Sequence, residues 1–400
     1  MNSKYGKLFE EVTFNNGVKL DTRFAMAPMV VDGSSLEGDV TEEDIKYFER
    51  RANAASLLIS GAAAVTEYGN AFGYALGIYR DEQLDGLTQL ATSMKSKGNK
   101  AICQIFHPGR EAKVTFQQHG VVYGPSSMDV DFLDYPITGL TEEQVEEVID
   151  QYVKAAGRAI DAGFDGVEIH GANHYLIQQF FSEISNKRND KWGGKRENRA
   201  AFGIEITKRV KDLVTKRGKK DFIIGYRISP EEIHGNKAGY TLDDSLYLID
   251  KIADLGIDYI HSSLWGAKAY KSKALMGDHE GEIINQVIHE LLAGRTKLIA
   301  AGDILSADAA LDALNYTDII AMASAVLMDP DIKQKIKNGQ EETINFDVTN
   351  RYDDLALPKH FPIMLPAVNA NGHIPQATFD YIKTVMLEED RKYTLENKNI

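Results

Sequence analysis

The stretch TEEQVEEVIDQYVKAAGRAIDAGFDGVEIHG (residues 141–171) contains the unit from which this fold is built. Its first part, 141–163, has apolar residues at helical spacing, and Thr141 and Gln144 have the spacing of a capping box. Its last part, GVEIHG (166–171), is a short apolar run of strand length. A regular alternation of such strands and helices is typical of a parallel sheet.

The same alternation of a short apolar run and a helical segment occurs eight times along the chain. The predicted strands are 23–30, 56–65, 100–109, 166–171, 222–230, 259–265, 297–304 and 318–327. The predicted helices are 41–53, 81–98, 141–163, 196–218, 242–256, 282–294, 306–315 and 329–339. Eight units favour an α/β fold of the closed (β/α)8, or TIM barrel, type. An open doubly wound sheet is the alternative, but no Gly-x-Gly-x-x-Gly turn follows the first strand.

The eighth unit ends well before the end of the chain. We therefore expect a barrel domain over residues 1–339 and a C-terminal extension over 340–400. The extension holds a Pro-bounded stretch and a polar helical stretch, and we expect it to pack on the barrel or on a neighbouring subunit. The sequence leaves open whether the chain forms a homo-oligomer.

Composition restricts the class of protein. A net charge of −14 disfavours a nucleic-acid partner, because phosphates must be met by clustered Lys and Arg. The chain has no apolar stretch near the ~18 residues of a membrane span. Its N-terminal stretch lacks the apolar core of a secretory signal. The single cysteine, Cys103, fits a reducing compartment and a buried, inert thiol. We expect a cytoplasmic protein with a small-molecule partner, and no metal site.

Several polar side chains are expected at the upper ends of the barrel strands. Alternate residues of a barrel strand face the helices and the interior, and sites form at the C-terminal strand ends. In the fourth strand, this alternation points His170 inward at the top. Gln104 and Arg227 have the same placement in strands three and five, while Asn173 and Tyr175 begin the loop after strand four. We therefore expect these side chains to meet at one mouth of the barrel.

The segment HGANHYLIQQFFSEISNKRNDKWGGKRENRAAF (170–202) resembles the signature region of the Old Yellow Enzyme family of flavin-dependent ene-reductases. The family pattern is His-Gly-Ala-(Asn or His)-Gly-Tyr-Leu, then Ser-x-x-x-Asn-x-Arg-x-Asp-x-Tyr-Gly-Gly and Glu-Asn-Arg. Further similarity extends from about residue 8 to about residue 335, in the stretches APM (27–29), CQIFHPGR (103–110), GYRISP (225–230), IAAGDI (299–304) and MDPD (328–331). The resemblance implies a (β/α)8 barrel that binds FMN at its mouth and uses NADH or NADPH as reductant.

The resemblance also implies the residues that bind the cofactor. They are Ala27, Pro28, Met29, Val30, Ala62, Gln104, Arg227, Gly302, Ala323 and Ser324. Gln104 has the donor and the acceptor that suit the pyrimidine edge of the flavin. Arg227 would stabilise negative charge near N1 of the reduced flavin.

The catalytic residues implied by the resemblance are His170, Asn173 and Tyr175. His170 and Asn173 would donate to a substrate carbonyl oxygen, so that hydride from the flavin reaches Cβ of a conjugated alkene. Tyr175 would protonate Cα from the opposite face. The implied function is an FMN-dependent NAD(P)H oxidoreductase that reduces activated C=C bonds of α,β-unsaturated carbonyl compounds of the enone type.

Three departures from the family pattern affect the expected site. Val30 stands where the family commonly has Thr or Cys beside the flavin, and His174 stands where it usually has Gly. Ala323 and Ser324 replace a Gly-Arg pair that binds the FMN phosphate. A charge-assisted hydrogen bond contributes about 1.5–3 kcal/mol, so this loss weakens FMN binding by about tenfold to a hundredfold. Backbone N–H groups near Gly302 and Ser324 could still hold the phosphate.

Two other functions stay open, and the change at Ala323 and Ser324 is the main support for the first. One is a flavin-poor barrel that acts as a ligand-binding or sensor protein. The other is a flavin enzyme with a different substrate class, such as a demethylase.

Overall fold

Eight parallel strands close into a barrel in the computed structural model, which describes residues 3–130, 133–369, 372, 374–387 and 390. The barrel strands are Phe24–Met26, Leu57–Ile59, Lys100–Phe106, Gly166–Gly171, Ile223–Ile228, Tyr259–Ser263, Lys297–Ala301 and Ile319–Met322. Each pairs in parallel with the next along the chain, and strand eight pairs with strand one through Ile320 and Phe24. The predicted (β/α)8 barrel is confirmed.

Helices follow the strands and surround the barrel. They span Glu42–Arg51, Leu84–Met94, Glu142–Asp161, Arg196–Lys216, Leu242–Asp254, Ile284–Leu292, Ala307–Ala313 and Ile332–Asn338. Side-chain caps mark the start of three of these helices. The Thr41 and Thr141 side chains take part in capping boxes, and the Ser306 hydroxyl accepts from the backbone N–H of Ala309 at 3.2 Å.

The predicted eighth strand, 318–327, is too long. The strand ends at Met322, and Ser324–Met328 form a short helix. The error has a physical cause, because a short apolar run does not distinguish a buried strand from a buried helix by its periodicity.

Short elements lie between and beyond the barrel units. The strands are Val12–Thr13, Lys19–Leu20, Ala63–Ala64, Tyr123–Gly124, Thr138–Gly139, Glu232–His234 and Lys237–Tyr240, and the helices are Lys113–His119, Leu176–Phe181, Leu365–Val368 and Gln376–Val385. None of the helices in the described ranges is both long and apolar enough to cross a membrane.

The barrel interior is apolar at the bottom and polar at the top. Near the strand starts, inward residues such as Ile102, Ile223 and Ile299 pack with Phe14 and Leu20 of the N-terminal hairpin, which closes this end. The outward residues pack against the helices, and among them the Cys103 thiol is buried, which raises its pKa to about 12. With the bottom sealed, the open end lies at the C-terminal ends of the strands.

The described part of the C-terminal extension packs on its own barrel. The buried Arg51 guanidinium donates to the backbone oxygens of Leu355 (2.9 Å) and Leu327 (2.8 Å). The His360 ring stacks on Tyr74 with centroids 3.7 Å apart. The last part of the predicted extension, 391–400, lies outside the described residues.

A buried carboxyl group in the loop after strand one leads to a stability prediction. Neither oxygen of Asp32 has a hydrogen-bond partner among the described residues, and its backbone is left-handed (φ 51°). Burial, aided by the charges of Asp390 and Asp44, raises the pKa of Asp32 well above its usual value. The folded state therefore retains this proton, and the carboxyl destabilises the fold progressively as the pH rises above its unfolded-state pKa of about 3.8.

Asp32→Asn should increase the free energy of unfolding at pH 8 by on the order of 1–3 kcal/mol, because asparagine is uncharged and tolerates a left-handed backbone. The gain should shrink toward pH 4, where the carboxyl is protonated in both states. Urea unfolding at several pH values measures it, with the exposed Asp85→Asn as control. A gain that does not depend on pH would contradict the burial of an ionisable Asp32.

Candidate active site

A cavity of about 340 Å³ lies at the C-terminal ends of the barrel strands. The three predicted catalytic and ten predicted cofactor-binding residues all line it. The wall also contains residues that the sequence interpretation missed: Phe72, Ser263, Leu264, Trp265, Ala301, Asp303, Ile304, Leu305, Ala321, Met364 and Val368. Ser263 ends strand six and Leu264 and Trp265 follow it, so the strand-end rule that found Arg227 could have found them. Met364 and Val368 carry no such signal, because they come from the extension.

His170 is buried at the end of strand four, and one of its nitrogens is already engaged. Its Nδ1 accepts a hydrogen bond from the backbone N–H of Ala172 at 3.2 Å, which assigns the ring hydrogen to Nε2. Burial, together with the nearby charges of Arg227 and His261, holds the pKa of His170 well below its usual value. His170 is therefore a neutral donor through Nε2–H.

Asn173 is held by hydrogen bonds from both sides. Its backbone is left-handed (φ 58°), and its N–H donates to Ser229 Oγ at 3.0 Å. Its Oδ1 accepts from Ser263 Oγ at 2.8 Å and from Trp265 Nε1 at 3.3 Å. Because an indole nitrogen only donates, the Trp265 contact identifies the amide oxygen. The NH₂ group of Asn173 is therefore the end left to donate.

Tyr175 is placed by aromatic packing. Its ring centroid lies 5.0 Å from that of His170 and 5.1 Å from that of Phe106, in edge-to-face arrangements, and Phe72 makes a third such contact. Burial raises the pKa of the Tyr175 hydroxyl, so the group retains its proton at neutral pH. A protonated hydroxyl beside the two donors can act as a general acid.

A buried hydrogen-bond network supports the cavity from below. Gln104 Nε2 donates to Glu168 Oε1 at 2.7 Å, and His261 Nδ1 lies 2.8 Å from Glu168 Oε2. Burial favours the neutral form of Glu168, but His261 and Arg227 outweigh this effect and lower its pKa. An ionised Glu168 holds the amide of Gln104 by its NH₂ group, which leaves the Gln104 oxygen as an acceptor.

Arg227 supplies positive charge to the cavity wall. Its Nη2 donates to Ser263 Oγ at 3.1 Å, whereas its buried Nε has no hydrogen-bond partner within the described part of the chain. A buried unpaired donor is costly, so a bound acceptor group there would be favourable. With the small side chains of Ala62 and Ala323 in the same wall, these groups fit the flavin of FMN. Gln104 and Arg227 would hold its polar edge.

Gly302 has a structural requirement of its own. Its φ is +138°, and a Cβ there would lie 2.8 Å from both Ala269 Cβ and the Tyr270 backbone nitrogen. The close approach of this segment explains the glycine without any ligand. The cofactor contact predicted for Gly302 stays a prediction.

A substitution at Ser324 tests whether this position faces the FMN phosphate. It lines the cavity beside Ala323, at the place where the family pattern has arginine. Ser324→Arg should strengthen FMN binding by about tenfold to a hundredfold, because a guanidinium would add a charge-assisted hydrogen bond. Flavin fluorescence titration measures the dissociation constant, with Ser324→Ala as a control that should gain nothing. Equal FMN affinity in wild type and Ser324→Arg would show that the phosphate lies elsewhere.

Comparisons with known proteins agree with this geometry. The family model for the NADH:flavin oxidoreductase / NADH oxidase family matches residues 7–343. The chain is 37% identical over 377 residues to a probable NADH-dependent flavin oxidoreductase, YqiG, of Bacillus subtilis, covering 94% of this chain and 99% of that protein. It is 40% identical over 338 residues to the NADH:acrylate oxidoreductase of Vibrio harveyi, covering 84% of this chain but only 33% of that protein. It is also 36% identical over 358 residues to the NADH:fumarate oxidoreductase of Klebsiella pneumoniae, covering 86% of this chain and 37% of that protein.

Solved structures share the fold. An Old Yellow Enzyme homologue from Zymomonas mobilis superposes with a TM-score of 0.70 at 22% identity, covering 94% of this chain and 99% of that chain. Morphinone reductase superposes with a TM-score of 0.72 at 22% identity, covering 94% of this chain and 96% of that chain. The chain therefore belongs to the NADH:flavin oxidoreductase / NADH oxidase family, the Old Yellow Enzyme family that its sequence resembles, and is an oxidoreductase that uses FMN with NADH or NADPH.

Proposed function

We propose that this enzyme reduces the C=C bond of α,β-unsaturated carbonyl compounds. The observation that carries the proposal is the trio on one cavity wall: the Nε2–H of His170, the NH₂ group of Asn173 and the protonated hydroxyl of Tyr175. Two donors suit one carbonyl oxygen, and a separate acid suits a carbon that must gain a proton.

The reaction adds a hydride to Cβ and a proton to Cα, while NADH or NADPH is oxidised. Bound FMN supplies the hydride. His170 and Asn173 withdraw electron density through the carbonyl oxygen and stabilise the negative charge that develops there. Tyr175 delivers the proton to Cα. Ser263 and Trp265 hold the Asn173 amide in orientation, and Ala172 sets the His170 tautomer.

The donor chemistry favours neutral carbonyl substrates. His170 is neutral, and Asn173 donates through an amide, so neither supplies a full positive charge for a carboxylate. Two relatives, of which this chain covers 33% and 37%, are named for acrylate and fumarate, which are conjugated alkenes, and these names support the reaction type. Acrylate and fumarate carry carboxylates. An assay with a ketone or aldehyde therefore distinguishes the proposed substrate class from the substrates for which these relatives are named.

Anaerobic assays of the FMN-loaded enzyme test the proposal. NADH or NADPH oxidation should depend on added 2-cyclohexenone, and the product should be cyclohexanone. Acrylate at the same concentration should be a poorer substrate, and cyclohexanone should support no oxidation. Oxidation that no enone stimulates would favour the other flavin chemistry considered above, such as demethylation. The ligand-binding alternative without turnover does not agree with membership of an oxidoreductase family.

A further inference from the structure

Two loops bring three metal-ligating side chains together beside the cavity. His174 lies in the turn after strand four, while Glu232 and His234 lie on the first strand of the hairpin after strand five. The Nδ1 of His174 is 3.7 Å from Glu232 Oε2, and the Nε2 of His234 is 3.5 Å from Glu232 Oε1. One ligand atom from each residue lies within 4.8 Å of the other two. None of the three lines the cavity of the active site.

The hairpin after strand five places two of the ligands next to each other. The pairing register shifts between Glu232 and Ile233, which interrupts the regular alternation of this strand, and the His234 ring lies 3.5 Å from the Glu232 carboxylate. Gly239 on the opposite strand leaves room for the carboxylate, because a Cβ there would lie 2.7 Å from Glu232 Oε1. A larger residue at 239 would displace the carboxylate.

The third ligand is placed at a conformational cost. His174 has a left-handed backbone with φ 62°, at the position where the family pattern has glycine. A non-glycine residue in this region costs on the order of 1 kcal/mol. The strained backbone carries an imidazole that is exposed on one side and contacts the buried Glu232 on the other. The contact of its imidazole with Glu232 gives a reason for histidine rather than glycine at this position.

Glu232 is prepared as an anionic ligand. It is 2% exposed and accepts hydrogen bonds from Gln178 Nε2 at 2.9 Å and Ser182 Oγ at 2.8 Å. Its oxygens are oriented in the way that outer residues orient metal-binding carboxylates. With these hydrogen bonds in place, its two oxygens also face the imidazoles of His174 at 3.7 Å and His234 at 3.5 Å.

We propose that His174, Glu232 and His234 bind a divalent transition-metal ion such as Zn²⁺. Two imidazoles and one carboxylate suit zinc, whereas calcium and magnesium prefer oxygen ligands only. Three protein ligands leave a fourth position for water. Because Asn173 and Tyr175 flank His174, a bound ion would also fix the turn that carries both.

Zinc titration of the FMN-loaded, chelator-treated protein tests this site. Calorimetry should show one Zn²⁺ per chain, bound more tightly at pH 7.5 than at pH 6, because neutral imidazoles are the ligands. His234→Ala should weaken binding at least about tenfold, since even outer residues contribute that much. Glu232→Gln should do the same. His119→Ala, which removes an exposed histidine elsewhere, should bind Zn²⁺ like wild type.

Thermal unfolding gives a second measurement. Saturating Zn²⁺ should raise the melting temperature of wild type and of His119→Ala, but not that of His234→Ala. His234 is exposed, so the variant should fold whether or not the site exists. Equal zinc affinity in wild type and His234→Ala, or no binding to wild type, would overturn the proposal. Either result leaves the proposed reductase function untouched, because no residue of this site lines the cavity.

Discussion

Tyr175→Phe should slow the oxidative half-reaction with an enone by roughly a hundredfold or more, the factor expected for a positioned acid. The substitution removes only the hydroxyl and keeps the ring that packs on His170, Phe106 and Phe72. Reduction of the flavin by NADH or NADPH should change little, because that step takes no proton from Tyr175. Measuring the two half-reactions separately therefore distinguishes the loss of the acid from a general loss of structure.

Stopped-flow absorbance measures both half-reactions on the same FMN-loaded protein. Phe106→Leu serves as a packing control, since it disturbs the Tyr175 environment without removing the acid. It should affect the oxidative step far less than Tyr175→Phe does. Unimpaired enone turnover in Tyr175→Phe would mean that water supplies the proton, and the role proposed for Tyr175 would be wrong.

Replacing His170 or Asn173 should weaken the binding of phenols and enones together by about tenfold to a hundredfold, the effect of losing one hydrogen bond in a buried site. Both ligand classes present an oxygen to these donors. For Asn173, glycine is the better replacement, because it keeps the left-handed backbone (φ 58°) while removing the amide. Tyr175→Phe should bind the same ligands nearly as well as wild type.

The pH dependence of that binding tests the state of His170. Its pKa is held well below the usual value by burial and by nearby positive charge, so the ring stays neutral as the pH falls through 6.5. Affinity for a neutral carbonyl ligand should therefore not change as the pH falls through 6.5, the ordinary histidine pKa. Spectral titration of the bound flavin with an enone at several pH values measures this. A transition near pH 6.5 that disappears in His170→Ala would contradict the neutral donor.

Much of the fold is determined by local sequence pattern. The alternation of apolar runs and helical segments predicts eight strand–helix units because hydrophobic periodicity depends on near neighbours alone. The same local rule, that alternate strand residues face opposite sides, places Gln104, His170 and Arg227 at one mouth. Thr41 and Thr141 cap their helices through atoms within the first turn. Such features need no knowledge of distant contacts.

Tertiary structure decides where distant segments meet. The orientation of the Asn173 amide depends on Ser263 and Trp265, and the cavity wall is completed by Met364 and Val368 from the extension. The grouping of His174 with Glu232 and His234 likewise depends on how two loops pack. These contacts join residues far apart along the chain, and their formation depends on packing and loop geometry rather than on any periodic pattern.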